Sequence, residues 1–145
     1  MIGVDTNILV YSHRRDSKFH SSARAKLKEL AESGLNWAIP WPCIHEFLSI
    51  VTHPKIYLPP TPNEKAVRQV ELWMESPTLT LIGEGNDYWK KFRGLALLEK
   101  IKGPVIHDAR IVAICLEAGV TVLWTADRDF SMIPGIRLEN PLVGQ

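Results

Sequence analysis

The apolar positions of this chain alternate between short continuous runs and stretches spaced for a helix. Ile2-Gly3-Val4 reads as a brief buried strand, and Asn7 to Tyr11 as a helical turn. After the polar connection His13-Arg14-Arg15-Asp16-Ser17, a helix is predicted from Ser17 or Lys18 to Glu32. Its apolar positions are Ala23, Leu27, Leu30 and Ala31, and Gly34 supplies the stop. Trp37-Ala38-Ile39 predicts a second strand, and Pro40 and Pro42 bracket the start of a helix with a stripe at Ile44, Phe47, Leu48 and Val51. A proline-rich connection, Pro54 to Pro62, leads to Thr61-Pro62-Asn63-Glu64, which combines a capping box with proline at the first helical position. The helix it opens runs through Val67, Val70 and Met74 to Ser76-Pro77.

Thr78 to Ile82 reads as a third strand. Asn86 to Ile101 is predicted helical, with Trp89, Phe92, Leu95, Ala96 and Leu98 forming a broader apolar face than one packing stripe requires, so core burial and self-association are both open there. Gly103-Pro104 ends it, His107 to Ala118 forms another helix closed by Gly119, Thr121 to Trp124 a fourth strand, and Ile136 to Leu138 a fifth. Strands alternating with helices point to an α/β fold, with a central, mainly parallel β-sheet flanked by helices on both faces. Residues 1–145 read as a single domain, without repeats or low-complexity tracts.

Composition narrows the function classes only modestly. Hydrophobic residues make up 46% and charged residues 23%, ordinary for a globular protein, and the net charge of +1 gives no global basic field. An acidic site offset by basic residues elsewhere would produce the same balance. Cys43 and Cys115 both lie in apolar helical patterns, which fits a reducing compartment rather than a disulfide framework. With no long apolar segment near the start and no run of about 18 apolar residues, the expectation is a cytoplasmic protein without a membrane span.

Four acids stand out because no basic residue sits at helical reach: Asp5, Glu46, Asp108 and Asp127. Ordinary surface acids have such partners, and Asp87 with Lys90 and Lys91, or Glu99 with Lys102, follows that pattern here. Unpartnered carboxylates in apolar settings destabilise a fold unless a metal or a functional proton occupies them. Asp5 and Asp127 each follow a predicted strand, which directs them to the crevice beyond the carboxyl ends of a parallel sheet. If the four converge, two carboxylates about 4 Å apart repel by ~4 kcal/mol at an effective dielectric near 20. Hard oxygen donors without a thiolate cluster or histidine pair suit Mg²⁺ or Mn²⁺. The chemistry implied is phosphodiester hydrolysis, with the metal lowering the pKa of the attacking water.

Structural explanations compete at each position. Asp5 can cap the following turn, Asp108 can be an acid favoured by a helix N-terminus, and Asp127 and Asp129 can both be turn acids. Asp129 also competes with Asp127 as the fourth ligand. His45, His53 and His107 lack zinc-site spacing, so packing, capping or support roles are expected. The five tryptophans are read mostly as core, Trp37 and Trp41 included, with stacking on RNA bases the lesser alternative. Arg110 and Arg128 adjoin proposed ligands and are candidates for phosphate contacts. Arg14, Arg15 and Lys18 read as a solvated charge run.

Four segments in order carry a resemblance: Val4-Asp5-Thr6-Asn7-Ile8-Leu9, His45-Glu46-Phe47-Leu48, His107-Asp108-Ala109-Arg110-Ile111, and Trp124-Thr125-Ala126-Asp127-Arg128-Asp129-Phe130. Together they resemble the PIN-domain family, and within it the VapC-type toxins of bacterial toxin–antitoxin pairs. The resemblance implies a magnesium- or manganese-dependent endoribonuclease acting on structured RNA and held inactive by a cognate antitoxin. Carried over by position, Asp5, Glu46, Asp108 and Asp127 are its acidic quartet, for metal binding and catalysis alike. Thr125 would support the site by hydrogen bonding and Asn7 would order the loop after Asp5. The family also implies a homodimer. Two other classes remain: a non-hydrolysing RNA- or partner-binding module, and an aspartate-nucleophile phosphatase. The latter typically needs a second acid two residues after the first, where this chain has Asn7.

Overall fold

A computed structural model describes residues 1–143. The chain runs β1 (Ile2–Val4), α1 (Thr6–His13), α2 (His20–Glu32), β2 (Trp37–Pro40), α3 (Trp41–Val51), α4 (Asn63–Met74), β3 (Leu79–Ile82), α5 (Tyr88–Ala96), α6 (Val105–Glu117), β4 (Val122–Trp124), a 3-10 turn (Arg128–Met132) and β5 (Arg137–Glu139). The strands form one sheet in the order β3-β2-β1-β4-β5, and every adjacent pair is parallel. Right-handed crossovers send the two leftward connections over one face of the sheet and the rightward ones over the other. Strand order therefore reverses between β1 and β4, and the crevice of such a sheet opens at that switch point.

Burial explains the elements. Trp37, Ala38, Ile39 and Pro40 are all buried in β2, as expected for a strand covered on both faces. On α2 the buried residues are Ala23, Leu27 and Leu30, one narrow stripe. α6 buries Ala109 and every residue from Ile111 to Cys115, because it lies between the sheet and α5. Phe47 of α3, fully buried, packs edge-on against Trp73 at 4.8 Å and against His13 at 5.4 Å between ring centres. At Gly3 in the central strand, a Cβ would meet Val120 at 3.1 Å and Leu123 at 3.4 Å, so the close approach of α6's end to the sheet requires glycine.

Several sequence expectations change. α1 spans two turns to His13, and α2 begins at His20 rather than at Ser17 or Lys18. The capping box before α4 does not form: Pro62 occupies the N-cap and makes no side-chain bond. The Thr61 hydroxyl is instead taken up by His13 Nε2 and Arg14, each at 3.2 Å. α4 buries Ala66 and Val70, whereas Val67 and Met74 are exposed. α5 stops at Ala96, so Glu99 and Lys102 lie in a loop, and neither the Glu99–Lys102 pair nor the Asp87 pairs form among the described residues. Leu95 is the one fully buried residue of α5, and Trp89 (63% exposed), Leu97 and Leu98 face outward. Trp41 is also exposed, stacked on His45, so two of the five tryptophans lie outside the core. Among the described residues no helix is long and apolar enough to cross a membrane.

Candidate active site

The β1–β4 register sets Val4 opposite Trp124, so Asp5 and Thr125 leave the sheet side by side, with the Asp5 N–H donating to the Trp124 carbonyl at 2.9 Å. The Thr125 hydroxyl donates to Asp5 Oδ2 at 2.8 Å and accepts from the Asp127 N–H at 3.0 Å. Asn7 Nδ2 reaches Thr125 Oγ1 at 3.3 Å and Asp5 Oδ2 at 3.4 Å, while Asn7 Oδ1 accepts from the Ala126 N–H at 3.0 Å. The Asp5 loop is thereby tied to the loop after β4. The Cys43 thiol donates to Asp5 Oδ1 at 3.5 Å. Asp5 occupies the N-cap of α1 but makes no side-chain cap bond, so capping does not account for it. It is only 4% exposed. Burial outweighs the Thr125 hydrogen bond and pushes its pKa from 3.8 up to about 6.

Asp108, in the first turn of α6, is half-buried and likewise pushed up from 3.8 to about 6. Desolvation is the largest cause, followed by the negative charges of Asp127, Asp5, Asp129 and Glu46, in that order. The other three sequence-predicted acids thus all act on Asp108, and Asp127 does so more strongly than Asp129. Asp127 also caps the 3-10 turn, its Oδ1 accepting from the Asp129 N–H at 2.9 Å, so the turn-acid and site readings both apply to it. Glu46 departs from expectation, being exposed rather than set in apolar surroundings. Its apolar helical neighbours belong to the inward face of α3. Its charge still reaches the site, adding to the rise in the pKa of both Asp5 and Asp108.

No cation pairs with any of these acids among the described residues. Arg110 donates its Nε to Glu84 in an exposed ion pair, while Arg128 is exposed and makes no ion pair among the described residues. Glu84, two residues beyond the end of β3, was not singled out from the sequence, and it does not act on Asp5 or Asp108. Arg14 is structural: it pairs with Asp16 at 2.6 Å and lies over the Tyr57 ring at 4.1 Å. His13 bonds Gln69 and Thr61, and burial lowers its pKa. His53 accepts from the Lys55 N–H, and His107 is exposed on α6. Both cysteines are buried free thiols; burial raises Cys43 well above its ordinary value and Cys115 to about 12, which leaves neither as a nucleophile.

Among the described residues, no three His, Cys, Asp or Glu side chains converge into a ready-made metal cage. The donors are nevertheless all carboxylate oxygens in a shared, uncompensated negative field, and two of them hold protons more tightly than free carboxyls do. That chemistry fits a hard divalent cation taking one or two carboxylates and completing its shell with water and substrate oxygens. It does not fit a structural metal held wholly by protein.

The PIN-domain model matches residues 2–136. The chain belongs to the PIN-domain family. Among VapC ribonucleases, this PIN domain is 34% identical over 141 residues to Ribonuclease VapC48 of Mycobacterium tuberculosis, covering 97% of each chain. It is 33% identical to Ribonuclease VapC43 of the same species, across 100% of this chain and 98% of that one. Among solved structures, VapBC2 from Rickettsia felis bound to a promoter DNA fragment superimposes with a TM-score of 0.71 at 23% identity, covering 97% of this chain and 98% of that chain. M. tuberculosis VapC20, described as a sarcin–ricin loop cleaving toxin, gives 0.67 at 15% identity over 94% of this chain and 99% of its own. The expected all-round α/β architecture is therefore that of the PIN fold.

Proposed function

We propose that this PIN domain is an endoribonuclease toxin of a toxin–antitoxin pair that hydrolyses phosphodiester bonds in structured RNA. The observation that carries the reading is the group of mutually repelling, unpaired carboxylates at the β1–β4 switch point, in a chain whose relatives are named VapC ribonucleases. Asp5, Glu46, Asp108 and Asp127 would hold Mg²⁺ or Mn²⁺. When bound, such a cation supplies the charge that makes water a better nucleophile and offsets charge building on the phosphate. Thr125 and Asn7 fix the Asp5 carboxylate in place, and Asp108 in the first turn of α6 would offer a further carboxylate to the same cation. Asn7 has no acidic function and is committed to Ala126 and Thr125, which counts against an aspartate-nucleophile phosphatase.

Incubation with total RNA and Mn²⁺ is expected to give discrete fragments that disappear with EDTA and in a Glu46→Gln variant. Intact RNA alongside a folded protein would leave only the non-hydrolysing reading.

The basic cleft of α1, α2 and α4 would suit the antitoxin as a seat. A cavity of about 690 Å³ between α1, α2 and α4 is lined by Arg15, Arg24, Lys28 and Lys65 around a floor of Trp37 and Trp73, with no carboxylate in its wall. An amphipathic, acidic segment of the antitoxin complements it in both charge and shape. Charge reversal of Arg24 and Lys28 together should weaken co-purification with the antitoxin while RNA cleavage by the free toxin persists; unaltered co-purification would place the partner elsewhere. A second copy of the chain is the natural cover for the exposed Trp89 ring, which would give a homodimer in sedimentation.

A further inference from the structure

Two hollows lie along α5 and the connection that follows it. The upper one, a cavity of about 600 Å³, is lined by Leu98, Lys100, Lys102, Ser131, Met132 and Pro134. A neighbouring hollow of about 550 Å³ shares Leu98 and Pro134 and continues along α5 past Lys91 and Lys90. The two adjoin at Leu98 and Pro134, making a grooved face along α5. Its upper end is linked to the proposed active site through the chain. The connection bearing Lys100 and Lys102 leads directly into the first turn of α6, which carries Asp108. Ser131 and Met132 belong to the same 3-10 turn as Asp129.

The charge of this groove is opposite to that of the crevice. Lys90, Lys91, Lys100 and Lys102 are exposed and make no ion pair among the described residues; the carboxylates in the wall are Asp87 and Glu99. Between the lysines, Leu98 is 41% and Met132 40% exposed, an apolar surface open to solvent. A polyanion approaching a cluster of carboxylates is repelled, so a nuclease with this site gains from a positive track at its rim. Lysines along the groove suit the phosphates of a nucleic-acid backbone, and Leu98 and Met132 offer an apolar surface between them.

We propose that this lysine-lined groove binds the RNA strand flanking the bond to be cut, with Lys100 and Lys102 on phosphates nearest the acids and Lys90 and Lys91 further along. The proposal rests on the nuclease reading and adds where the substrate lies. The test is the double variant Lys100→Glu/Lys102→Glu, neither residue being part of the catalytic group. Binding of a long structured RNA with a single-stranded flank is measured in EDTA across a salt series, and cleavage is measured on that RNA and on a short hairpin spanning only the cut site. Loss of two phosphate contacts lowers the slope of log K against log salt by about 1.4. The expected outcome is that shallower slope with a higher KM for the long RNA and unchanged cleavage of the short one. An unchanged slope and KM on both substrates would overturn the proposal, as would a variant altered only in self-association or antitoxin binding. Wild-type protein that neither binds nor cuts RNA would overturn the nuclease reading itself, a result separable from the first.

Discussion

Asp5→Asn is expected to abolish RNA cleavage while producing a protein more stable than wild type in the absence of divalent cations at neutral pH. The two effects have one origin. Asp5 is buried, and its ionisation in the fold is opposed strongly enough to raise its pKa from 3.8 to about 6. A shift of that size corresponds to about 3 kcal/mol by which the charged form is disfavoured at neutral pH. Asparagine keeps the shape and removes the charge. Its carbonyl oxygen can accept from Thr125 as Asp5 Oδ2 does, and its amide meets the Cys43 sulfur, a weak acceptor. A gain of about 1–3 kcal/mol is expected in EDTA, read by denaturant or thermal unfolding. Cleavage is expected to fall at least about a hundredfold, as when a principal electrostatic group is removed from an active site. Wild-type cleavage by the variant would remove Asp5 from the mechanism; a variant less stable than wild type in EDTA would show that its charge is already compensated.

This trade of stability for chemistry was partly legible in the amino-acid sequence. Asp5 and Asp127 could be placed because apolar strand runs end just before them, and a parallel sheet delivers residues at strand ends to one edge. The β1–β4 pairing that sets Asp5 beside Thr125 was not legible, since register depends on contacts 120 residues apart. For Glu46 the setting was misjudged: it is exposed on α3, whose other face is buried, and apolar neighbours along a helix do not report which face a given residue occupies. The Thr61 capping box failed for a similar reason. Its hydroxyl is claimed by His13, 48 residues earlier, and a local motif carries no record of a distant competitor. α5 ran long in the sequence reading because Leu97 and Leu98 continue the apolar pattern beyond the last helical residue, whereas they are exposed in the fold. Pairwise charge arguments also overreached: Asp87 and Glu99 have lysines nearby in sequence, yet no ion pairs form there among the described residues.

The pH dependence of stability should carry the signature of the same carboxylates. Asp5 and Asp108 have folded pKa values near 6, above the 3.8 of a free aspartate, so between those values the folded chain binds more protons than the unfolded one. Their contribution to stability is therefore fully present below about 3.8 and is lost as pH rises through about 6. His13 works in the opposite sense: burial lowers its pKa, so its contribution is present at higher pH and is lost on acidification. The comparison that isolates the acids is wild type against Asp5→Asn, because His13 is common to both. In EDTA the advantage of Asp5→Asn is expected to be near zero at pH 4 and to grow to its plateau by about pH 7. Divalent cations compete with those protons, so stabilisation of wild type by Mn²⁺ should rise over the same interval, reaching about 2.7 kcal/mol at a hundred times the dissociation constant. The variant should gain far less at every pH. Mn²⁺ stabilisation that is flat from pH 4 to 7.5, or equal in both proteins, would mean that the cation binds somewhere other than the carboxylates at the β1–β4 crevice.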